Sequence, residues 1–290
     1  MVGLLWVLLT VSTVTIVATT VLILTTRITV RKGTSSHTIR HWADIPPEAW
    51  TRLCSRTIFF GHQSVGRSII SGIKDVAASH ECLHLRIAET KDARRIEGPM
   101  LVHAPIGRNL YPESKAAEFT QLMEGGLAEK VDIAFFKFCF VDIDKASNPD
   151  ALFATYSKAM DTLKSRFPHT TFMHVTVPLC GPPGKAKGIL KASIKRLIGR
   201  PPVLDGNEVR SRYNALLREW FSEKEPLFDL ALYETLGPEG LRHYSLRNGH
   251  EIPILARAYT DDGGHLNAVG RRHVAEQLLI KLLEVAGGSQ

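Results

Sequence analysis

The sequence predicts an α/β fold of three layers, α/β/α, built on a central parallel sheet and preceded by an N-terminal transmembrane helix. Strand-like apolar runs alternate with segments of helical periodicity, the pattern that places helices on both faces of a parallel sheet. The run Val131–Val141 is apolar almost throughout, as in strands covered on both sides. Residues 1–26 carry no charged side chain. As a helix rising about 1.5 Å per residue they exceed the roughly 30 Å of a bilayer's hydrocarbon.

Met1–Thr26 reads as an uncleaved anchor. A cleaved signal peptide is the competing reading, but its basic start, shorter apolar stretch and small-residue cleavage site are not evident. Arg27, Arg31 and Lys32 follow the span, and the positive-inside rule then places the rest of this single-pass membrane chain in the cytoplasm. A polar linker is expected over residues 27–50 and a catalytic domain over 51–290. Thr57–Phe60 reads as the first strand, ended by Gly61. Val65, Ile69, Ile73 and Val76 then recur at helical spacing. Further strands are read at Leu83–Ala88, Val131–Val141, Thr171–Val177 (stopped by Pro178) and Phe228–Leu232. Phe153, Tyr156, Met160 and Leu163 mark a crossover helix over Leu152–Phe167. The chain closes with a helix from about Ala268 to Ala286, capped by Asn267, with Val274, Leu278, Leu282 and Val285 on one face.

A chain of 290 residues that is 44% hydrophobic has ample material for a packed core. Its net charge of +7 is concentrated in Arg27–Arg40 and Lys185–Arg200. The second run lacks interleaved aromatics, so nucleic acid is not an expected partner. It reads as a basic amphipathic helix, suited to an anionic membrane surface, to a lid over a cleft, or to plain solvent exposure. Cys54, Cys82, Cys139 and Cys180 are widely spaced, with no pair suited to zinc or redox work. Cys139, between Phe138 and Phe140, reads as a buried thiol.

In α/β sheets the ligand crevice lies at the carboxyl ends of the strands. The first strand runs into Gly61-His62-Gln63-Ser64-Val65-Gly66, which puts a serine at the threshold of a helix. Such a serine is either a nucleophile or a helix cap, because caps favour the same residue type. A nucleophile needs a base. Asp262-Gly263-Gly264-His265 offers one: a carboxylate three residues before an imidazole can hold the Nδ1 proton and leave Nε2 to accept a proton from serine. An Asp-rich turn before the last helix is the plain structural alternative.

The two segments together resemble the SGNH, or GDSL-like, hydrolases. The second block, Asp262-Gly-Gly-His265-Leu266-Asn267-Ala-Val-Gly270, is a close match. Ile106–Lys115, Lys137–Ile143 and Phe228–Glu234 look like a divergent, little-characterised branch of that superfamily. The resemblance covers roughly Ile58–Leu283 and implies an SGNH-hydrolase, flavodoxin-like domain that cleaves esters with Ser64, His265 and Asp262 and needs no cofactor or metal. Two departures stand out. One additional residue precedes Ser64, and the family's Gly-x-Asn-Asp after the third strand is replaced by Lys137–Asp142, which contains no asparagine. That asparagine normally supplies a donor to the oxyanion, and losing such a donor typically costs about 10² to 10³ in rate. Asn109, beside Gly107 in an expected strand-end loop, is the candidate replacement. Backbone N–H groups near Ser64 and Gly107 would complete the set. His62, Lys137 and Asp142 are further site candidates; Asp142 could equally hold a structural bond, and Lys137 could be a satisfied buried cation.

The expected function is therefore a membrane-anchored serine hydrolase acting on a small-molecule, glycan or lipid ester, an acetyl or acyl ester. One competing reading is a non-catalytic, membrane-tethered binding module on the same fold, suggested by the missing asparagine. The other is a metal-dependent hydrolase with His62, Asp262 and His265 as ligands.

Overall fold

The structure is a computed structural model that describes residues 28–32, 42–185 and 203–288. Six strands form a wholly parallel sheet: β2 (Thr57–His62), β3 (Ile87–Glu89), β4 (Met100–Pro105), β5 (Ile133–Phe136), β6 (Thr171–Val175) and β7 (Leu227–Phe228), in the order β3-β4-β2-β5-β6-β7. The alternation of side chains along each strand divides the interior in two. Ile58, Phe60, Leu101, Ile133, Phe135 and Met173 face one core, while Phe59, Val102, Ala134, Phe136 and Phe172 face the other, as the two-residue strand period requires.

The first core is closed by α1 (Pro47–Cys54), α2 (Val65–Ser79) and α7 (Ala268–Gly287), through Trp50, Ile69, Ile73, Val274 and Leu278. The second is closed by α3 (Pro112–Leu122), α4 (Pro149–Arg166) and α5 (Asn207–Phe221), through Phe119, Tyr156, Met160, Leu163 and Leu217. This is the expected three-layer α/β/α arrangement. Asn267 caps α7, its side-chain oxygen accepting from the Gly270 N–H at 3.0 Å.

Several boundaries differ from expectation. The long run Val131–Val141 is a strand only over Ile133–Phe136. The Lys137 N–H still bonds to the Gly61 carbonyl at 3.3 Å, but the Cys139 N–H turns to the Asp142 carboxylate at 2.6 Å, and that side chain ends the ladder. The strand expected at Phe228–Leu232 stops at Phe228, because Asp229 caps a short helix, α6 (Leu230–Thr235), by accepting from the Leu232 N–H. The strand expected at Leu83–Ala88 shrinks to Ile87–Glu89. β4 is not legible in the sequence: buried along nearly its whole length, Met-Leu-Val-His-Ala-Pro has no alternation to betray it.

Within the stretch expected to be linker, β1 (Ile28–Lys32) pairs antiparallel with β8 (Leu241–Arg247), which pairs in turn with β9 (His250–Pro253). The same stretch also contains the start of α1. Among the described residues no helix is long and apolar enough to cross a membrane. The expected span over 1–26 lies outside the described residues, as does nearly all of Lys185–Arg200.

Candidate active site

β2 sits where the sheet's order reverses: β4 lies on one side of it and β5 on the other. Loops leaving the carboxyl ends of these neighbours diverge there and leave a crevice. Ser64 follows β2, Gly107 and Asn109 follow β4, and Lys137–Asp142 follow β5.

Ser64 occupies the cap position of α2, yet its hydroxyl makes no capping bond. It lies 2.8 Å from His265 Nε2. The cap reading of this residue therefore does not hold. Its backbone is strained, with φ 49° and ψ −108°, in a region where a non-glycine residue persists only if its surroundings hold it there. The turn is tight enough that a Cβ on Gly66 would come within 2.3 Å of the His62 Cβ.

His265 Nδ1 lies 2.8 Å from Asp262 Oδ2, which assigns the Nδ1 proton to that bond and leaves Nε2 as the acceptor for the Ser64 hydroxyl. The other carboxylate oxygen accepts the backbone N–H groups of Gly264 at 2.9 Å and His265 at 2.8 Å. The hydrogen bond to His265, aided by those amides, holds the Asp262 carboxyl well below the usual carboxylate range against its partial burial. Phe140 meets the imidazole edge-on, with ring centroids 5.6 Å apart. A bridge between Thr260 and Leu266 closes the loop at its base. Gly263 allows the turn, at φ 91°.

The remaining candidates separate into two groups. Gly107 is a correction: its N–H donates to Glu118 Oε2 at 2.7 Å and its carbonyl accepts from the Gln63 side chain at 3.0 Å. That amide is committed and leaves the set of oxyanion donors. Asn109 is held from behind, its Oδ1 accepting from Lys115 Nζ at 2.9 Å, and its Nδ2 has no partner among the described residues. Asp142 is an anchor: buried, ion-paired with the equally buried Lys115, and accepting the Leu110 N–H at 2.9 Å. Lys137 is buried and donates to the carbonyls of Gln63 and Phe138, each at 3.2 Å.

His62 does not join Asp262 and His265. Its Nε2 faces His103 Nδ1 at 3.1 Å, and burial, with Lys137 nearby, pushes its pKa down to about 3. Among the described residues no three potential ligands converge on a metal position, so the expected alternative of His62, Asp262 and His265 as a ligand set is overturned. The sequence alone does not assign Glu118, Gln63 or Phe140 a part in the site. Only Glu118 left a trace, three residues after Lys115 and so on the same helix face.

No family model matches the chain, and no curated protein matches it. Solved structures similar to it include a lipopolysaccharide acetyltransferase periplasmic domain of Salmonella ser. Paratyphi A, 12% identical with a TM-score of 0.45, covering 80% of this chain and 87% of that one. A member of the lipolytic protein G-D-S-L family from Veillonella parvula DSM 2008 is 14% identical, TM-score 0.38, over 77% of this chain and 96% of its own. A peptidoglycan O-acetylesterase is 14% identical, TM-score 0.40, over 66% of this chain and 48% of its own. These likenesses are distant.

Proposed function

We propose that the chain is a serine hydrolase of SGNH type that cleaves a carboxylic ester. The observation that carries this reading is the continuous hydrogen-bonded series from Ser64 Oγ through His265 to Asp262. In the proposed reaction His265 Nε2 takes the Ser64 proton as Oγ bonds to the ester carbon. The imidazolium is stabilised by Asp262 and then protonates the leaving alkoxide. Water attacks the resulting acyl-serine by the same route in reverse, releasing acid and free enzyme. The Ser64 N–H, which meets no acceptor among the described residues, and the Asn109 carboxamide are the proposed oxyanion donors.

Asp262 and His265 each remain half exposed, which favours an ester carried on a large alcohol, a glycan or a lipid, over a small substrate enclosed in a pocket. The membrane tether belongs to this proposal on the strength of residues 1–26 alone.

A fluorophosphonate probe tests the reading. Wild-type protein is expected to be labelled at Ser64 and to hydrolyse p-nitrophenyl acetate, and Ser64→Ala to lose both. Correctly folded wild type that resists the probe would reject catalysis in favour of a binding module.

A further inference from the structure

The carbonyl of Gln63, the residue just before the proposed nucleophile, is held by three donors. Gly66 N–H reaches it at 3.0 Å, Lys137 Nζ at 3.2 Å and the Cys139 thiol at 3.5 Å. Two of these come from the loop after β5, more than seventy residues away. A carbonyl with two lone pairs is satisfied by fewer partners, so this concentration concerns the direction in which the peptide points.

The direction matters because a trans peptide is planar and sets its N–H opposite its carbonyl. With the Gln63 oxygen drawn toward Lys137, the Ser64 N–H is turned the other way. It donates to no protein acceptor among the described residues. The same peptide leads into the strained φ of 49° at Ser64, a conformation that relaxes unless its neighbours oppose it.

Lys137 is an unusual residue to find there. It is 1% exposed, and its ammonium makes its contacts with two carbonyls and the Cys139 sulfur. No carboxylate ion-pairs with it among the described residues. The carboxyl that senses it, Glu234, is itself pushed up to about 8 by burial and so is largely protonated at neutral pH. Burying a cation without an anion is costly, and an apolar residue of similar length would fill the same space without that cost.

We infer that Lys137 is a positioning residue, whose buried ammonium pins the Gln63 carbonyl and so presents the Ser64 N–H as a fixed oxyanion donor. This rests on the reading of Ser64 as nucleophile. It also bears on the missing Gly-x-Asn-Asp block: with Asn109 as the proposed side-chain donor, the segment in that block's place contributes a residue that aims the backbone donor.

The test compares the full-length wild type with Lys137→Met, which keeps length and removes the donor. Hydrolysis of p-nitrophenyl acetate, the rate of fluorophosphonate labelling and thermal melting are measured together. Loss of aim is expected to lower kcat by about 10- to 100-fold, short of or equal to the loss of a whole oxyanion donor. KM should stay within about twofold, because the ground-state ester gains little from that amide. Labelling should slow in parallel, since the phosphoryl oxygen occupies the same place. The pH profile of kcat/KM should keep its shape. A lowered melting temperature with unchanged kcat would make Lys137 merely structural and overturn the inference. If Lys137→Met does not fold, Lys137→Gln, which retains a neutral donor, is read instead: a fall of about 3- to 30-fold in kcat is expected, and wild-type kcat overturns the inference. Wild type that is active and Ser64-dependent while Lys137→Met equals it defeats the positioning role alone. Wild type that neither hydrolyses nor labels defeats the hydrolase reading, and this inference with it.

Discussion

Asn109 and Glu234 show how a single residue's surroundings decide its part. The Asn109 side chain is fixed through its oxygen by Lys115, itself locked to Asp142, so its amide hydrogens are free for an oxyanion. Asn109→Ala is expected to reduce kcat by about 10² to 10³ with little change in KM, read by steady-state kinetics on an ester; undiminished kcat would remove it from the site. Glu234 is fully enclosed, accepting the Leu179 N–H at 2.6 Å, and burial raises its pKa to about 8 despite that amide, Lys137 and Arg210. Its folded pKa lies above its unfolded value of about 4.3. Between the two, the folded state holds the extra proton, so stability falls as pH rises through this window. Glu234→Gln removes that titration while keeping an acceptor for Leu179. Its melting temperature is expected to match wild type near pH 4.5 and to exceed it by roughly 5 °C or more at pH 8. Parallel melting curves across the window would show that the carboxyl is not held neutral.

Among the elements, α2 and α7 matter most to the proposed chemistry. Ser64 immediately precedes α2, and His265 lies three residues before α7, so the packing of these two helices sets the distance across which the proton moves. They meet closely at Gly72, where a Cβ would come within 2.2 Å of the Arg271 carbonyl oxygen. Because that contact is backbone, it yields only if a helix moves. Gly72→Ala is therefore expected to destabilise the fold by about 1 to 3 kcal/mol and to depress kcat by disturbing the Ser64–His265 hydrogen bond. Denaturant unfolding and ester turnover measure the two effects. A variant as stable and active as wild type would mean that the helices have slack at this crossing.

For the whole molecule, the arrangement of strands matters more than any one of them. The reversal at β2 gathers the ends of β4, β2 and β5, and the loop before α7 supplies the imidazole from the far end of the chain. A cavity of about 280 Å³, lined by Leu179, Asn214, Asp229 and Tyr244, has none of Ser64, Asp262 and His265 in its wall. Deleting residues 1–26 is expected to move the protein from carbonate-washed membranes to the supernatant while ester hydrolysis persists. Retention in the membrane pellet would disprove the proposed tether. Protease treatment of sealed vesicles carrying the full chain would separate a cytoplasmic domain from one on the opposite side.

The sequence by itself determined the layered α/β architecture, the capped last helix and the pairing of Asp262 with His265, because each rests on local spacing: apolar periods, a cap and a three-residue interval. It also located Ser64 but left its hydroxyl between capping and catalysis. Only the tertiary structure shows where that hydroxyl points, since its contact is with an imidazole 201 residues distant. Gly107, Asn109, Asp142 and Lys137 divided the same way: which amide is committed, which is free and what a buried ammonium touches are set by contacts between strand ends. Such contacts arise from the order of strands in the sheet, and strand order leaves no periodic mark along the chain.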